Sequence, residues 1–539
     1  MKKTVKFLLC TLTILSLFFI LLSAEASALT YGDFEYSVLK DGSIQIDKCN
    51  RGFEAEEHLS TDLEDVFYII VPSEIEDKKV TVIGEKAFEG VGYVKGVKLP
   101  ESVKIIEDYA FANTDFSEIQ LCEGLKTIGN YAFYNSYISS MAIPSTVEKL
   151  GNYSVGYQDD AEGKPVAKKD ILYCYENSVA ENYAAKNKLT YRYVDGDFRY
   201  IILENGTVQT SGYTGKAKKL AVPEKIADKK VTVIGYYTFS TNNTIEEIVI
   251  PETVEAINKL GCAHMKELQK VTMEYGIKKL EQGAFYGCEK LKAVIMSDSI
   301  TKIGSSAFEN CTSLEDIKFS KNVKVIGLNA LADTKYYTTK ENWENNILYA
   351  DNYVVAVDTN KIKGSVEIKD GITLIADSAF VNCKNITNVT FSDSLKKIGN
   401  NAFEGCTSLK KVYLPDDTKI AVNPRAFKNC TSLTKVYGSE NIVEIGDAAF
   451  SYCKSLKEIT FGKNLKTVGE KAFLGCTKLA RVNLESTKTA PTFGRKAFSA
   501  TADGIKFVAD KAIAKKVKTN LKNTATKNAK VYSVSYSKV

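Results

Sequence analysis

The sequence predicts a repeat solenoid, mainly β with short helical turns, laid out as two tandem arrays, each opened by a β-hairpin cap. Three observations carry that prediction. A phenylalanine-centred motif returns every 23 or 24 residues through most of the chain. The stretch FEYSVLKDGSIQI at Phe34 is echoed by FRYIILENGTVQT at Phe198. Each of these is followed by a proline, Pro72 or Pro223, and then by an identical DKKVTVIG, at Asp77 and Asp228. Internal repetition at a period of 20–50 residues is the mark of stacked supersecondary units and takes precedence over local propensity.

The repeat can be read position by position. IGSSAFENCTSLEDIKF begins at Ile303, IGNNAFEGCTSLKKVYL at Ile398, IGDAAFSYCKSLKEITF at Ile445 and VGEKAFLGCTKLARVNL at Val468. Aligned on the aromatic position, the series runs Phe88, Phe111, Phe133 and a degenerate Val155. It resumes as Phe239, Cys262, Phe285, Phe308 and Leu331, then Phe380, Phe403, Phe427, Phe450, Phe473 and Phe498. The segment L-x-x-V-x-apolar alternates at its end as a half-buried strand does. A second short apolar pair, as in Leu395 to Ile398, is expected to form another strand, and Gly399 to turn the chain. The A-F-x-x-C stretch is expected to be a short helical turn with Phe and Cys inward. One such unit cannot close a core, but stacked units bury a continuous one. A period in the twenties with regularly placed leucines is the leucine-rich solenoid pattern.

The motifs IGNNAFEGCTSLKKVYLP and IGSSAFENCTSLEDIKF resemble the BspA-type leucine-rich repeats of bacterial surface and secreted proteins, over nearly all of the chain after its leader. The resemblance implies that both arrays are built of leucine-rich repeats. It also implies an adhesive role, with host matrix proteins or other bacteria as partners, and it brings no catalytic residues.

The elements follow in order. Residues 1–28 read as a secretory signal peptide: Lys2, Lys3 and Lys6, then an apolar run from Phe7 to Leu22, then Ala26-Ser27-Ala28. The expected location is therefore secreted or extracellular surface, with no membrane span after cleavage. Residues 29–195 form the first array. Its cap turns at Asp41-Gly42, and its closing segment runs from Tyr175 to Asp195 as a helix, with Ser178 as N-cap, followed by a strand. Residues 196–539 form the second array, whose cap turns at Asn205-Gly206. The step from Leu331 to Phe380 is 49 residues, about two repeats. A hairpin around Asp351-Asn352, within an insertion at about 332–372, is expected to replace one repeat and keep the register. From about residue 506 a helix and a strand should close the array.

The formal net charge is +5, falling by two without residues 1–28, which is no basic footprint for nucleic acid. Seven of twelve cysteines share one repeat slot: Cys288, Cys311, Cys383, Cys406, Cys430, Cys453 and Cys476. A catalytic thiol needs one distinctive environment, and seven equivalent positions describe packing. Met265 and Asn135 are read as occupants of the same slot elsewhere. Rungs about 5 Å apart admit disulfides by distance, but the side chains run parallel, so buried thiols are expected. Sequence alone does not decide the state of Cys49, Cys122 and Cys174. His58 and His264 are the only histidines, and no C-x-x-C pair or phosphate loop is present. No enzyme activity, cofactor or metal is expected.

Partner-binding candidates are residues that escape the inward pattern. Outward positions of the main strands form two files. One is Glu247, Lys270, Ala293, Asp316, Asn388, Lys411, Lys435, Glu458 and Arg481. The other is Val249, Thr272, Ile295, Lys318, Thr390, Tyr413, Tyr437, Thr460 and Asn483. Tyr413 and Tyr437 should be neighbours flanked by Lys411 and Lys435, an interface composition, although tyrosine also favours strands for its own sake. Arg481 extends the file. Trp343, the single tryptophan, either covers the hairpin's own core with Tyr336, Tyr337, Tyr349 and Tyr353 or offers an aromatic contact. The expected function is a protein-interaction module, adhesive to host or bacterial surface proteins. The alternative is a carbohydrate-binding or cell-envelope structural module, with a glycan as ligand.

Overall fold

The short alternating segments of the repeat pair with the same segments one period later. In the computed structural model this happens twice per turn, giving two parallel ladders along the chain. The structure describes residues 29–50, 68–92, 94–138, 140–484, 489–524 and 528–534; residues 1–28, expected to be a signal peptide, and His58 lie outside them. The chain divides into two compact units, residues 1–200 and 201–539. Among the described residues no helix is long and apolar enough to cross a membrane.

Unit 1 opens with the antiparallel hairpin Phe34–Val38 and Ile44–Cys49. Its second strand starts a parallel ladder through Lys78–Ile83, Ile105–Ile106, Thr127–Ile128 and Lys149–Leu150. The other ladder runs Tyr68–Ile70, Gly96–Lys98 and Glu118–Gln120. In the closing segment, helix Val179–Lys186 begins where the Ser178 hydroxyl accepts from the Glu181 N–H, and Tyr191–Asp195 then pairs parallel with Ile171–Cys174. An antiparallel pair, Tyr157–Asp159 with Pro165–Ala167, follows the degenerate Val155 repeat.

Unit 2 repeats the plan. Its cap loop closes with Leu203 N–H donating to Thr207 C=O, as Leu39 does to Ser43 in unit 1. One ladder runs Val208–Tyr213, Lys229–Ile234, Ala256–Ile257, Lys279–Leu280, Lys302–Ile303 and Val325–Ile326. The other runs Lys219–Ala221, Glu247–Ile250, Lys270–Met273, Ala293–Ile295 and Asp316–Lys318. The recurrent DKKVTVIG has a local purpose. Glu76-Asp77 and Ala227-Asp228 both take left-handed φ and turn a two-residue hairpin into the ladder strand.

Three expectations are corrected. First, the insertion does not carry the ladders through. Asp316–Lys318 and Val325–Ile326 are the last strands of their sheets, and a new one starts with Trp343–Glu344 and the hairpin Ile347–Ala350 with Tyr353–Val357. From Tyr353 a parallel ladder runs through Leu374–Ile375, Lys397–Ile398, Ile420–Val422, Ile442–Ile445, Thr467–Val468 and Thr492–Phe493. The insertion therefore works as a further opening hairpin. It docks on the preceding rung through its own side chains: Asp351 Oδ2 accepts from Phe319 N–H at 2.7 Å, and Tyr353 O–H donates to Ser320 C=O at 2.7 Å.

Second, the A-F-x-x-C stretch is a turn and not helical. Asn401 and Gly405, on either side of Phe403, have φ of 56° and 77°, which no right-handed helix accommodates. The turn is pinned to the next rung instead: Phe403 N–H donates to Ala426 C=O and Phe427 N–H to Ala449 C=O, each at 2.7 Å. Third, Gly399 does not itself turn the chain: the turn follows it, with its left-handed positions at Asn401 and Gly405. A Cβ there would stand 2.6 Å from Asp377 Oδ1 and 2.7 Å from Ile375 C=O, so close approach of the preceding rung excludes a side chain.

The core is a continuous file. Phe380, Phe403, Phe427, Phe450, Phe473 and Phe498 are buried and stacked face to face at 4.6–5.3 Å. Two sheets and a turn ladder around such a stack leave each rung bonded almost wholly to its two neighbours.

Candidate functional site

The position of the thiols decides whether they are reactive. Cys406 Sγ donates to Phe380 C=O at 3.1 Å, and Cys311, Cys430, Cys453 and Cys476 repeat the contact to the Phe carbonyl one rung back at 3.0–3.2 Å. Cys288 does the same to Cys262 C=O at 3.1 Å. The seven slot cysteines, with Cys122, Cys174 and Cys262, are buried and carry no disulfide; Cys49 is also buried. Burial pushes the thiols of Cys262, Cys311 and Cys453 well up, and those of Cys174 and Cys383 up to about 12. For Cys406 the neighbouring Cys430 thiol is the larger cause and burial the second. Such groups are poor nucleophiles and poor metal ligands at neutral pH. Among the described residues no group of three or more His, Cys, Asp or Glu is placed to hold a metal ion. One alignment is corrected: Ser136, not Asn135, fills the slot in its rung and is buried, while Asn135 Nδ2 donates outward to Asp159.

The outward files stand in strict register. Glu247, Lys270, Ala293 and Asp316 pair in sequence, as do Asn388, Lys411 and Lys435, and then Glu458 and Arg481. In K-V-Y at 411–413, Val412 is buried, so Lys411 and Tyr413 project the other way. Tyr413 and Tyr437 stack with centroids 4.6 Å apart and planes 3° apart. Tyr437 is 40% exposed. Lys435 Nζ lies 5.8 Å from the Tyr437 ring centre and 3.0 Å from Glu458.

The remaining candidates do not join that pair. Arg481 lies two rungs beyond Lys435, and its Nε donates to Asn483 Oδ1 at 2.7 Å. Asn483, expected to face outward, is 9% exposed: Arg481 covers it and its Nδ2 donates to Thr460 Oγ1 at 3.1 Å. Trp343 belongs to the insertion and to the other sheet. Its indole N–H donates to Tyr337 C=O at 2.7 Å and its ring meets Tyr337 edge-on at 5.1 Å. Tyr349 and Tyr353 are buried, and Tyr336 O–H donates to Tyr349 C=O, so the insertion's rings chiefly serve its own packing. Sequence reasoning passed over a second aromatic file in unit 1, in which Tyr109 and Tyr131 stack at 5.0 Å and Tyr153 follows at 5.4 Å, tilted by 36°. Its signal was the tyrosine recurring every 22 residues, two before the Phe slot.

A family model described as the BspA type leucine rich repeat region matches in six copies, over residues 72–159, 226–354 and 358–480. None of the curated proteins compared matches the chain. Among solved structures, the chain is similar to a leucine-rich repeat protein from Bacteroides ovatus, at 19% identity over 94% of this chain and 99% of that one, with a TM-score of 0.30. It is similar to the pneumococcal vaccine antigen PcpA at 19% identity, over 64% and 99% of the two chains, TM-score 0.32. A leucine rich cell surface protein from Faecalibacterium prausnitzii aligns at 20% identity over 64% and 95%, TM-score 0.25.

Proposed function

The chain belongs to the BspA-type leucine-rich repeat family, and we propose that it acts outside the cell as an adhesive protein-interaction module with no catalytic activity. Its partner, a host matrix or bacterial surface protein, docks on the outward strand face of unit 2 at Tyr413 and Tyr437, with Lys411 and Lys435 beside them. The observation that carries this reading is the in-register tyrosine pair. Its rings lie on an open face with an exposed edge at Tyr437 and cations alongside. Rigid aromatic area at low entropic cost is what interface anchors are made of. Among the described residues the thiols are buried, which fits a packing role for them.

The test is a binding panel with residues 29–539, matrix proteins and glycans side by side, repeated with Tyr413→Ser/Tyr437→Ser. The double variant should keep the wild-type melting profile and lose about tenfold or more in affinity for the protein ligand. Undiminished binding by a folded double variant refutes the site. Binding to neutral glycans alone would favour the envelope or carbohydrate reading.

A further inference from the structure

The first outward file changes character along unit 2. In the sheet before the insertion it reads Lys219, Glu247, Lys270, Ala293, Asp316. Opposite charges there are neighbours: Lys219 and Glu247 form an ion pair at 2.8 Å. In the last sheet of the unit the file reads Glu458, Arg481, Lys506, Lys530, each Cα paired with the next. Its final two members lie in the closing segment, on either side of helix Lys511–Asn520. Arg481, Lys506 and Lys530 are all exposed, and among the described residues none has an ion-pair partner. Lys457, the residue just before that strand begins, is another exposed cation.

Like charges directly opposed on adjacent strands destabilise a sheet. The earlier sheet keeps the same parallel pairing with opposite charges as neighbours. The run of three cations is therefore a cost that packing does not require. We propose that Arg481, Lys506 and Lys530 form a binding strip for a linear polyanion bearing closely spaced sulfate or phosphate esters, of the sulfated-glycan type. The three sit in a straight line about 10 Å long at the rung spacing of roughly 4.8 Å. A polymer carrying anionic groups along its length can meet such a line without a pocket. The surroundings argue against an acidic protein as occupant. In the neighbouring outward file Asn483 and Val508 are buried, and only Tyr532, whose ring centre lies 5.9 Å from Lys506 Nζ, offers an aromatic surface. Protein interfaces need apolar anchors at their centre and are depleted in lysine. This strip is distinct in residues and chemistry from the Tyr413–Tyr437 site.

The test uses residues 29–539 and the single variant Lys506→Glu, which restores alternation between Arg481 and Lys530. Probes are heparin, a polyglycerol phosphate, selectively desulfated heparin and polyglutamate. The wild type should bind heparin, with affinity falling steeply as salt rises. Heparin should raise its melting midpoint. Lys506→Glu should melt at or above the wild-type temperature in the absence of ligand, yet bind heparin about tenfold or more weakly with a shallower salt dependence. Comparison of heparin with polyglycerol phosphate distinguishes a sulfated from a phosphodiester source. Unchanged heparin affinity in Lys506→Glu, equal binding of desulfated heparin, or polyglutamate binding as tightly as heparin would overturn the proposal. The Tyr413→Ser/Tyr437→Ser variant should bind heparin normally, so loss of one site leaves the other measurable.

Discussion

Phe427→Ala probes how far the aromatic file makes unit 2 a single cooperative body. Phe427 is fully buried, and its ring centre lies 5.3 Å from that of Phe403 on one side and 5.3 Å from that of Phe450 on the other. Its main chain is fixed independently of the ring. The N–H donates to Ala449 C=O, and its C=O accepts from Cys430 N–H and Cys453 Sγ–H. Truncation to alanine therefore removes the ring while the rung stays in place. Because both neighbouring rings are held by their own rungs, they cannot close over the gap, and the cost should fall in the upper part of the about 3–5 kcal/mol range for buried aromatic truncation. In a linear array that loss lands on both interfaces of one rung, which is enough to separate the transitions on its two sides. Trp343 is the only tryptophan and sits N-terminal to the break, against Tyr337. Urea unfolding followed by its fluorescence and by far-UV circular dichroism should coincide in the wild type and diverge in Phe427→Ala. A destabilisation below about 1.5 kcal/mol with coincident transitions would refute the reasoning, since it would require the stack to collapse as a loose core does.

Further outcomes follow from the same geometry. The seven slot thiols should resist iodoacetamide at pH 8 in the native protein without reductant and react only on unfolding; rapid native labelling, or rung-to-rung disulfides by mass spectrometry, would contradict the buried-thiol geometry. Because burial raises the folded-state value of Cys383 to about 12, against roughly 8.5 for a free thiol, its contribution to stability is complete below the unfolded value. It declines as pH rises through the interval to the folded one, so unfolding midpoints should fall above about pH 8.5. Asp351→Ala should cost about 1–3 kcal/mol by stranding the buried Phe319 N–H; the loss should be read at Trp343, and an unchanged Trp343 midpoint would show that the insertion docks by other contacts.

Much of this architecture was legible because the repeat is local. Phe403 and Cys406 declare themselves inward through recurrence. The two opening hairpins are visible from Asp41-Gly42 and Asn205-Gly206, and Ser178 is recognisable as an N-cap. What was misread had a non-periodic cause. The hairpin at Asp351 has nearly the right length for a repeat, yet its carboxylate and Tyr353 tie off the preceding sheet. Gly399 looked like a turn residue, while the left-handed position is Asn401 and the glycine makes room for the rung behind it. Asn483 followed the outward alternation but is covered by Arg481.

By itself the sequence determined the rung order, the inward set and the neighbours of each rung, because a solenoid's contacts link residues one period apart. It also determined that Lys411 would stand beside Lys435 and Tyr413 beside Tyr437. Only the tertiary structure decided where the ladders stop and start again, that six of the seven slot thiols donate to the carbonyl one rung back, and that Lys506 and Lys530 extend the line begun by Arg481. Those features depend on how segments outside the repeat, the Asp351 hairpin and the closing helix and strand, dock against it. No period reports such docking, because it is set by side-chain hydrogen bonds and strand pairing that the spacing of residues leaves open.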